Sequence, residues 1–479
     1  MSSRTGSVNA LDLDVVYVIS HGFAARMILH SSLLEETRAL GLKVGIVSPE
    51  IDEASLRERA EALGVSLHRA PPSPASSWIQ ARFRPYLYED ILGNPALRAK
   101  HLRALQTGSA KRRLEERLKI LIHRILQRLP FLRNALAMIE RRGQRSAAHQ
   151  AILETLRPTL LVCTYPVNPL ESHLLYAAQR LNIATVGHLL SWDNITCKGR
   201  FPVVPEHFIA WGPVMTEEIG SHYGVPASET HAVGVPHFDQ HTNATSQEAI
   251  RTHLAALDLD AEKPYLFFGM SAPYFAPREI DIVEWLASEI EKGRWGRDVQ
   301  LLVRPHPQNV QGDLADESWL PRLERLPSAK VAVDWPTLRP SRLLWSMDKT
   351  DMDRLANLLA GATVTLNTGS TLSIDAIVHD RPVVLTSFDA SDALPWWQSA
   401  RRTAEYHHLA KLIDMGGLTV TRSFEELDAA IQAYLEDPGL HRAGRENTRA
   451  RQLTACDGQA SSRAAQALRA LCEATTQST

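Results

Sequence analysis

An α/β protein of two lobes facing each other across a cleft, with a basic helical region inserted in the first, is predicted by three observations. The chain has 479 residues, too many for one ordinary core. Short, continuous, β-branched runs alternate with helical patterns in two successive series, the signature of parallel-sheet units. Between the early and late strands of the first series, the pattern changes to a long helical stretch rich in arginine.

The first series opens with DVVYVIS at 14–20, followed by a helical pattern to 40 and a second strand, LKVGIVS, at 42–48. Strand-like runs resume at 160–163, 184–190, 207–211 and 231–235. The second series places strands at 265–268, 299–303, 330–333, 363–367, 382–386 and 418–420, and helices at 279–292, 351–360, 372–378 and 425–435. A further amphipathic helix spans 460–473. The expected division is a first lobe at 1–240 with its insertion at about 95–150, a connection at 241–262, a second lobe at 263–455 and a C-terminal helix at 456–479. Ligands of such sheets sit at the carboxyl ends of the strands.

Composition narrows the function. Hydrophobic residues at 44%, charged residues at 22% and a net charge of -2 give no global pull toward nucleic acid. Four scattered cysteines without a CxxC point to a reducing compartment and away from structural zinc. A polar leader without an apolar core, and no apolar run of about 18–20 residues, predict a cytoplasmic protein with at most peripheral membrane contact. Residues 98–145 carry fourteen Lys or Arg against three Glu. There Leu114, Leu118, Leu121, Ile122, Ile125, Leu126 and Leu129 recur at helical spacing. This pattern suits either an interfacial helix on an anionic membrane or a helix packed on the first lobe with a solvated basic face.

Four motifs carry candidate chemistry. In GATVTLNTGSTLSIDAIVHDRPVV, a β-rich run ends in Asn367-Thr368-Gly369-Ser370-Thr371 and a helix opens at once. Gly369 permits close approach of an anion, Ser370 and Thr371 supply hydroxyls, and the helix start favours negative charge. Asp375, at i,i+4 from Thr371, can accept from a ribose. The same residues also make an ordinary helix cap. LLVRPHP places Arg304 and His306 just past a strand, suited to a diphosphate or to proton transfer, or simply to a capped strand end. Ser271, beyond the 265–268 strand, joins this donor-binding set. LLSWDNITCKG sets Trp192, Asp193, Asn194 and Lys198 in a loop that is either an acceptor site or a routine turn. His21 follows the first strand at the cleft edge, where it can deprotonate a hydroxyl or be structural. No GxGxxG or GxxxxGK[ST] occurs, which weakens dinucleotide and P-loop readings.

In this order, SWDNITCKG, GVPHFD, RPHP, NTGSTLSIDAIVHDRPVV and GGLTVTRSFEELDAAIQAYLEDP with CDGQASSRAA resemble nucleotide-sugar glycosyltransferases of the GT-B fold. They are nearest the CDP-glycerol glycerophosphotransferase-like and surface-polysaccharide transferase group. The resemblance covers about 159–470 and implies two Rossmann-like domains, acceptor first and donor second. It implies donor contacts from Ser370, Thr371 and Asp375, a donor-phosphate or catalytic role for His306, and leaving-group stabilisation without a metal or other cofactor. Thr-Gly-Ser-Thr stands where the glycerophosphotransferases carry a Ser-Ser pair, and their His-Gly-Thr-Pro motif is absent unless Ser20-His21-Gly22-Phe23 is its counterpart. Both departures favour a sugar transferase. The expected catalytic set is His21, His306 and Asp193, with His407 as a further donor contact. The expected partners are a nucleotide sugar, a saccharide or lipid-linked acceptor, and an anionic membrane surface. Rivals are the glycerophosphotransferase itself, a UDP-sugar 2-epimerase using Asp193 and Asp239 as its acids, and a non-catalytic nucleotide-binding scaffold. Of three DxD matches, at 12–14, 258–260 and 351–353, none has a setting that favours a metal.

Overall fold

The computed structural model describes residues 11–74, 84, 90–310, 316–341, 344–347, 349–391 and 394–478. Most of the polar leader lies outside the described residues. The first sheet has seven strands in the order β3-β2-β1-β4-β5-β6-β7. They are β1 Val15–Val18, β2 Val44–Ser48, β3 Ser66–Arg69, β4 Leu160–Cys163, β5 Ala184–His188, β6 His207–Ala210 and β7 Thr230–Ala232. The second has six, in the order β10-β9-β8-β13-β14-β15. These are β8 Tyr265–Gly269, β9 Gln300–Arg304, β10 Val331–Val333, β13 Val364–Asn367, β14 Val383–Thr386 and β15 Thr419–Thr421. Every pairing in both sheets is parallel. A separate antiparallel hairpin joins β11 Leu338–Ser341 to β12 Leu344–Met347.

The central strands are uninterrupted apolar runs because helices cover both faces of each sheet. Val15, Tyr17, Ile46, Leu160 and Val162 fill one face of the first sheet, and Val16, Val18, Val47 and Leu161 fill the other. In the second lobe Leu266, Phe268, Leu301 and Leu366 pack on the side of the Glu279–Glu291 helix. The opposite face shares a core with Trp192, Phe208 and Trp211 of the first lobe. The two lobes are thus packed together through buried aromatic surface.

The chain returns to the first lobe at its end. Ala464, Leu468 and Leu471 of the Ala460–Ser478 helix belong to the first sheet's core. The residues set apart as a C-terminal helix therefore complete the first lobe. Asp239 fixes this crossing, since its two oxygens accept from the backbone N–H groups of Ala460 and Ser461, each at 2.8 Å. The insertion forms the helices Pro95–Thr107, Ala110–Arg128 and Pro130–Arg142. Among the described residues no helix is long and apolar enough to cross a membrane.

Candidate functional site

His21 stands at the carboxyl end of β1 and opens the Gly22–Leu29 helix, accepting through its backbone carbonyl from Ala24 and Ala25. Its ring meets Tyr165 edge-on, with centroids 5.3 Å apart. Burial, aided by the nearby Lys198 cation, pushes its pKa down to about 4, so the ring is neutral at neutral pH. Lys198 Nζ lies 3.1 Å from Asp193 Oδ2. Burial alone would raise the Asp193 carboxyl, but Lys198 and the neighbouring His408 outweigh it and bring the pKa to about 2. The first lobe therefore assembles His21, Asp193 and Lys198, three of the residues singled out in the sequence.

Trp192 and Asn194 take other roles. Trp192 is buried and meets His408 of the second lobe edge-on, with centroids 4.7 Å apart. Asn194 is also buried and accepts from Ser191 N–H at 3.0 Å, shaping the loop. Both are interior residues where acceptor contacts were expected. His407 is corrected in the same way. It is exposed on the first turn of the His407–Asp414 helix, while His408 turns inward to Trp192 and lies 3.3 Å from Cys197 Sγ. Helical phase separates two adjacent histidines that the sequence alone leaves equivalent.

In the second lobe, the turn after β13 is built around Asn367. Its Oδ1 accepts from Gly369 N–H at 2.9 Å, Ser370 N–H at 2.8 Å and the Ser373 hydroxyl at 3.1 Å. Gly369 has φ +83°, and a Cβ there would lie 2.7 Å from Leu409 Cδ1, so glycine is required both for the backbone and for the space. The turn's first amides are thus satisfied internally. The Ser370 and Thr371 hydroxyls beside it are half-buried, and Ser370 Oγ accepts from Leu372 N–H at 3.3 Å.

Behind this turn sits Glu279, buried in the first turn of its helix. It accepts from the Thr368 hydroxyl at 2.5 Å and from Ser271 N–H at 2.7 Å. Ser271 in turn accepts through its carbonyl from Asn309 Nδ2 at 2.9 Å, and Asn309 also receives the His306 N–H. One carboxyl and one carboxamide thus clamp the ends of β8, β9 and β13 together. Burial pushes the Glu279 pKa up to about 8 and that of His306 down to about 4.

The first lobe repeats the device. Glu171, buried at the start of the Pro169–Arg180 helix, accepts from Thr164 N–H at 2.8 Å, Tyr165 N–H at 2.6 Å and the Ser20 hydroxyl, tying β4 to the residue before His21. Burial pushes it up to about 7. For Glu171 and Glu279 alike, the folded pKa exceeds the ordinary carboxyl value. The folded state then holds more protons, and stability falls as pH rises between the two values, by at most about 1.4 kcal/mol per unit for each group. The melting temperature should therefore drop between pH 7 and pH 8, above the range in which buried histidines such as His21 and His306 add the opposite trend. The Glu279→Gln variant should show a shallower drop, and an identical slope would remove Glu279 as a titrating clamp.

Arg304 is diverted from the diphosphate role expected of it. Its guanidinium is buried between Asp334 and Asp351, 2.5 Å from Asp351 Oδ2, and Arg354 completes the cluster 2.8 Å from Asp334 Oδ1. Asp351 also accepts from Thr337 N–H at 3.0 Å. The buried charges satisfy one another and brace β9 against β10.

Asp375 is also engaged. Its Oδ1 lies 2.9 Å from His241 Nε2, and His241 Nδ1 lies 2.9 Å from His379 Nε2. From the first lobe Arg26, one turn after His21, adds a cation to this cluster. Burial lowers its pKa, against the nearby carboxylates of Asp375 and Asp351. Among the described residues its Nε has no hydrogen-bond partner. Glu171, Glu279, Arg26, His241 and His408 were missed in the sequence. Only the two glutamates left a signal, an acid in the first turn of a helix after a strand, which usually marks a solvated position.

No known protein family and no curated protein sequence matches the chain. Solved structures do. A putative UDP-N-acetylglucosamine 2-epimerase from Listeria monocytogenes aligns with a TM-score of 0.57 and 9% identity, over 96% of this chain and 97% of that one. The chain has the two-domain GT-B fold. UDP-GlcNAc 2-epimerase from Neisseria meningitidis, bound to UDP-GlcNAc, aligns with a TM-score of 0.54 and 10% identity, over 96% and 100% of the two chains. The wall teichoic acid polymerase TagF aligns with a TM-score of 0.48 and 10% identity, over 96% and 89%. At these identities the likeness is one of fold.

Proposed function

We propose that the chain is a glycosyltransferase that moves a sugar from a nucleoside-diphosphate donor to a saccharide or lipid-linked acceptor in bacterial-type surface polysaccharide synthesis. The observation that carries this reading is the glycine turn at the end of β13. It is held by Asn367 and Glu279, offers the Ser370 and Thr371 hydroxyls, and stands in the lobe opposite the one that carries a neutral His21.

The acceptor hydroxyl attacks the anomeric carbon as its proton passes to His21, and the bond to the diphosphate oxygen breaks. Negative charge then gathers on the leaving group, where hydrogen bonds made only at that stage lower the barrier. Ser370 and Thr371 supply these, with Arg26 as the cation in the role expected of Arg304. In this scheme no metal is required. Packing of the Trp192 loop against His408 keeps water from the donor.

The 2-epimerase is the second reading, on the strength of the shared fold. An epimerase needs acids free to act on the sugar. Asp239 has both oxygens committed to the Ala460–Ser478 helix, and Asp193 is held by Lys198 as a strongly ionised carboxylate. This favours the transferase. The two separate by NMR of UDP-, GDP-, CDP- and CMP-sugars incubated with the protein. Slow release of nucleotide and free sugar, without a C2 epimer, is expected; conversion of UDP-GlcNAc to its C2 epimer would replace the transferase with the epimerase.

A further inference from the structure

The Ala110–Arg128 helix is turned inside out for a water-soluble surface. Its inward face buries Glu116, Lys119 and His123 beside Ile120 and Leu126. Leu114, Leu118, Leu121 and Ile125 share the outward face at helical spacing, and Leu114 is 68% exposed. The Pro130–Arg142 helix continues this surface with Phe131 at 71% and Ile139 at 63% exposure. An apolar strip of this extent on a globular protein marks a contact surface.

The charges around the strip say what it contacts. Glu116 is paired internally with Lys119 at 2.8 Å and lies 3.3 Å from His101, and Glu140 is buried against Arg84 at 2.8 Å. Glu115 is half-buried, whereas Arg112, Arg113, Arg117, Arg124, Arg128 and Arg142 are exposed. Apolar side chains interleaved with outward cations, and acids withdrawn, match an anionic lipid interface, where long arginines reach the headgroups while the aliphatic groups enter the acyl region. A second copy of the chain would bring like cations face to face across a symmetric contact.

We propose that the helical pair Ala110–Arg128 and Pro130–Arg142 docks on the surface of an anionic phospholipid bilayer. The element is anchored to the cleft. The preceding Pro95–Thr107 helix is capped by Asn94, whose Nδ2 donates to Thr196 O at 2.7 Å, and Lys100 Nζ donates to Cys197 O at 3.3 Å. Its Arg98 and Arg103 lie over Trp396 and Tyr274 of the second lobe, 3.8 and 3.9 Å from the ring centroids. Docking therefore sets the Asp193–Lys198 loop at a fixed position relative to the bilayer.

Sedimentation of the full chain with vesicles tests this without donor or acceptor, so the result stands apart from the transferase reading. Vesicles of phosphatidylcholine with about one-third phosphatidylglycerol should retain the protein, and pure phosphatidylcholine should retain roughly tenfold less. Leu118→Glu with Leu121→Glu, or Phe131→Glu alone, should weaken partition by roughly tenfold or more. Arg124→Gln with Arg128→Gln should reduce the salt-sensitive part. Unchanged melting temperatures establish that these surface variants fold. Partition unaffected by the glutamates would overturn the proposal, as would no retention at low salt. A concentration-dependent dimer, or a stable complex with an acidic protein, that the glutamates abolish while vesicles are ignored would assign the strip to that partner instead.

Discussion

Replacing His21 by alanine is expected to cut transfer by roughly 10²–10⁴-fold, the range for a lost general base, while nucleoside-diphosphate affinity stays unchanged. The helix at this position is held by the backbone carbonyl of residue 21, which accepts from Ala24 and Ala25, so alanine leaves the fold intact. Because burial holds the imidazole near pKa 4, the wild type should work on a plateau above that pH and lose activity below it, where the ring is protonated. Stopped assays of nucleotide release across pH check both statements. Full turnover in the variant would leave His21 a structural residue of the strand end.

Gly369→Ala is expected to damage stability and binding together. A left-handed backbone costs a non-glycine residue about 1–2 kcal/mol. The φ of +83° at this position incurs that cost, and the new methyl would stand 2.7 Å from Leu409 Cδ1 and 3.4 Å from Thr403 Oγ1. Moving Leu409 from its packed position costs a further ~1 kcal/mol or more. Equilibrium denaturation should therefore show a loss of about 2–4 kcal/mol, with weakened nucleoside-diphosphate binding in the fraction that folds. Leu409→Ala added to Gly369→Ala removes the clash but not the backbone strain. The pair should thus be less destabilised than the sum of the single variants. Simple additivity would mean that the methyl and Leu409 do not meet.

The strands at the centre of both sheets were legible because parallel strands covered on both faces are written as continuous β-branched runs. β3 was not, since SLHR is a half-exposed edge with one leucine, and the β11–β12 hairpin hides behind the proline in LRPS. At the site, the glycine turn could be read because Gly369 needs its own backbone and little else. Arg304 could not. What decides its role is Asp334 and Asp351, 30 and 47 residues further on, brought to it by the fold. His407 and His408 illustrate the same limit at shorter range, because the register of a helix start selects which neighbour faces inward. Glu171 and Glu279 left only an ambiguous signal. An acid at a helix start is usually solvated and favoured by the dipole, and nothing local distinguishes one that is buried to clamp two strands. The apolar residues from Leu114 to Leu129 read as one face, but Leu126 turns inward with Glu116 and Lys119 while Leu114, Leu118, Leu121 and Ile125 face outward.

The central claim is that the turn from Asn367 to Thr371 grips a nucleoside diphosphate. Calorimetric titration of UDP, GDP and CDP into the wild type and into Ser370→Ala with Thr371→Val addresses it directly. One of the three should bind the wild type in the micromolar range usual for such substrates, about 1 μM–1 mM, and at least about tenfold more weakly once both hydroxyls are gone. Equal affinity in the two proteins, or no heat from any of the three nucleotides, would contradict the account.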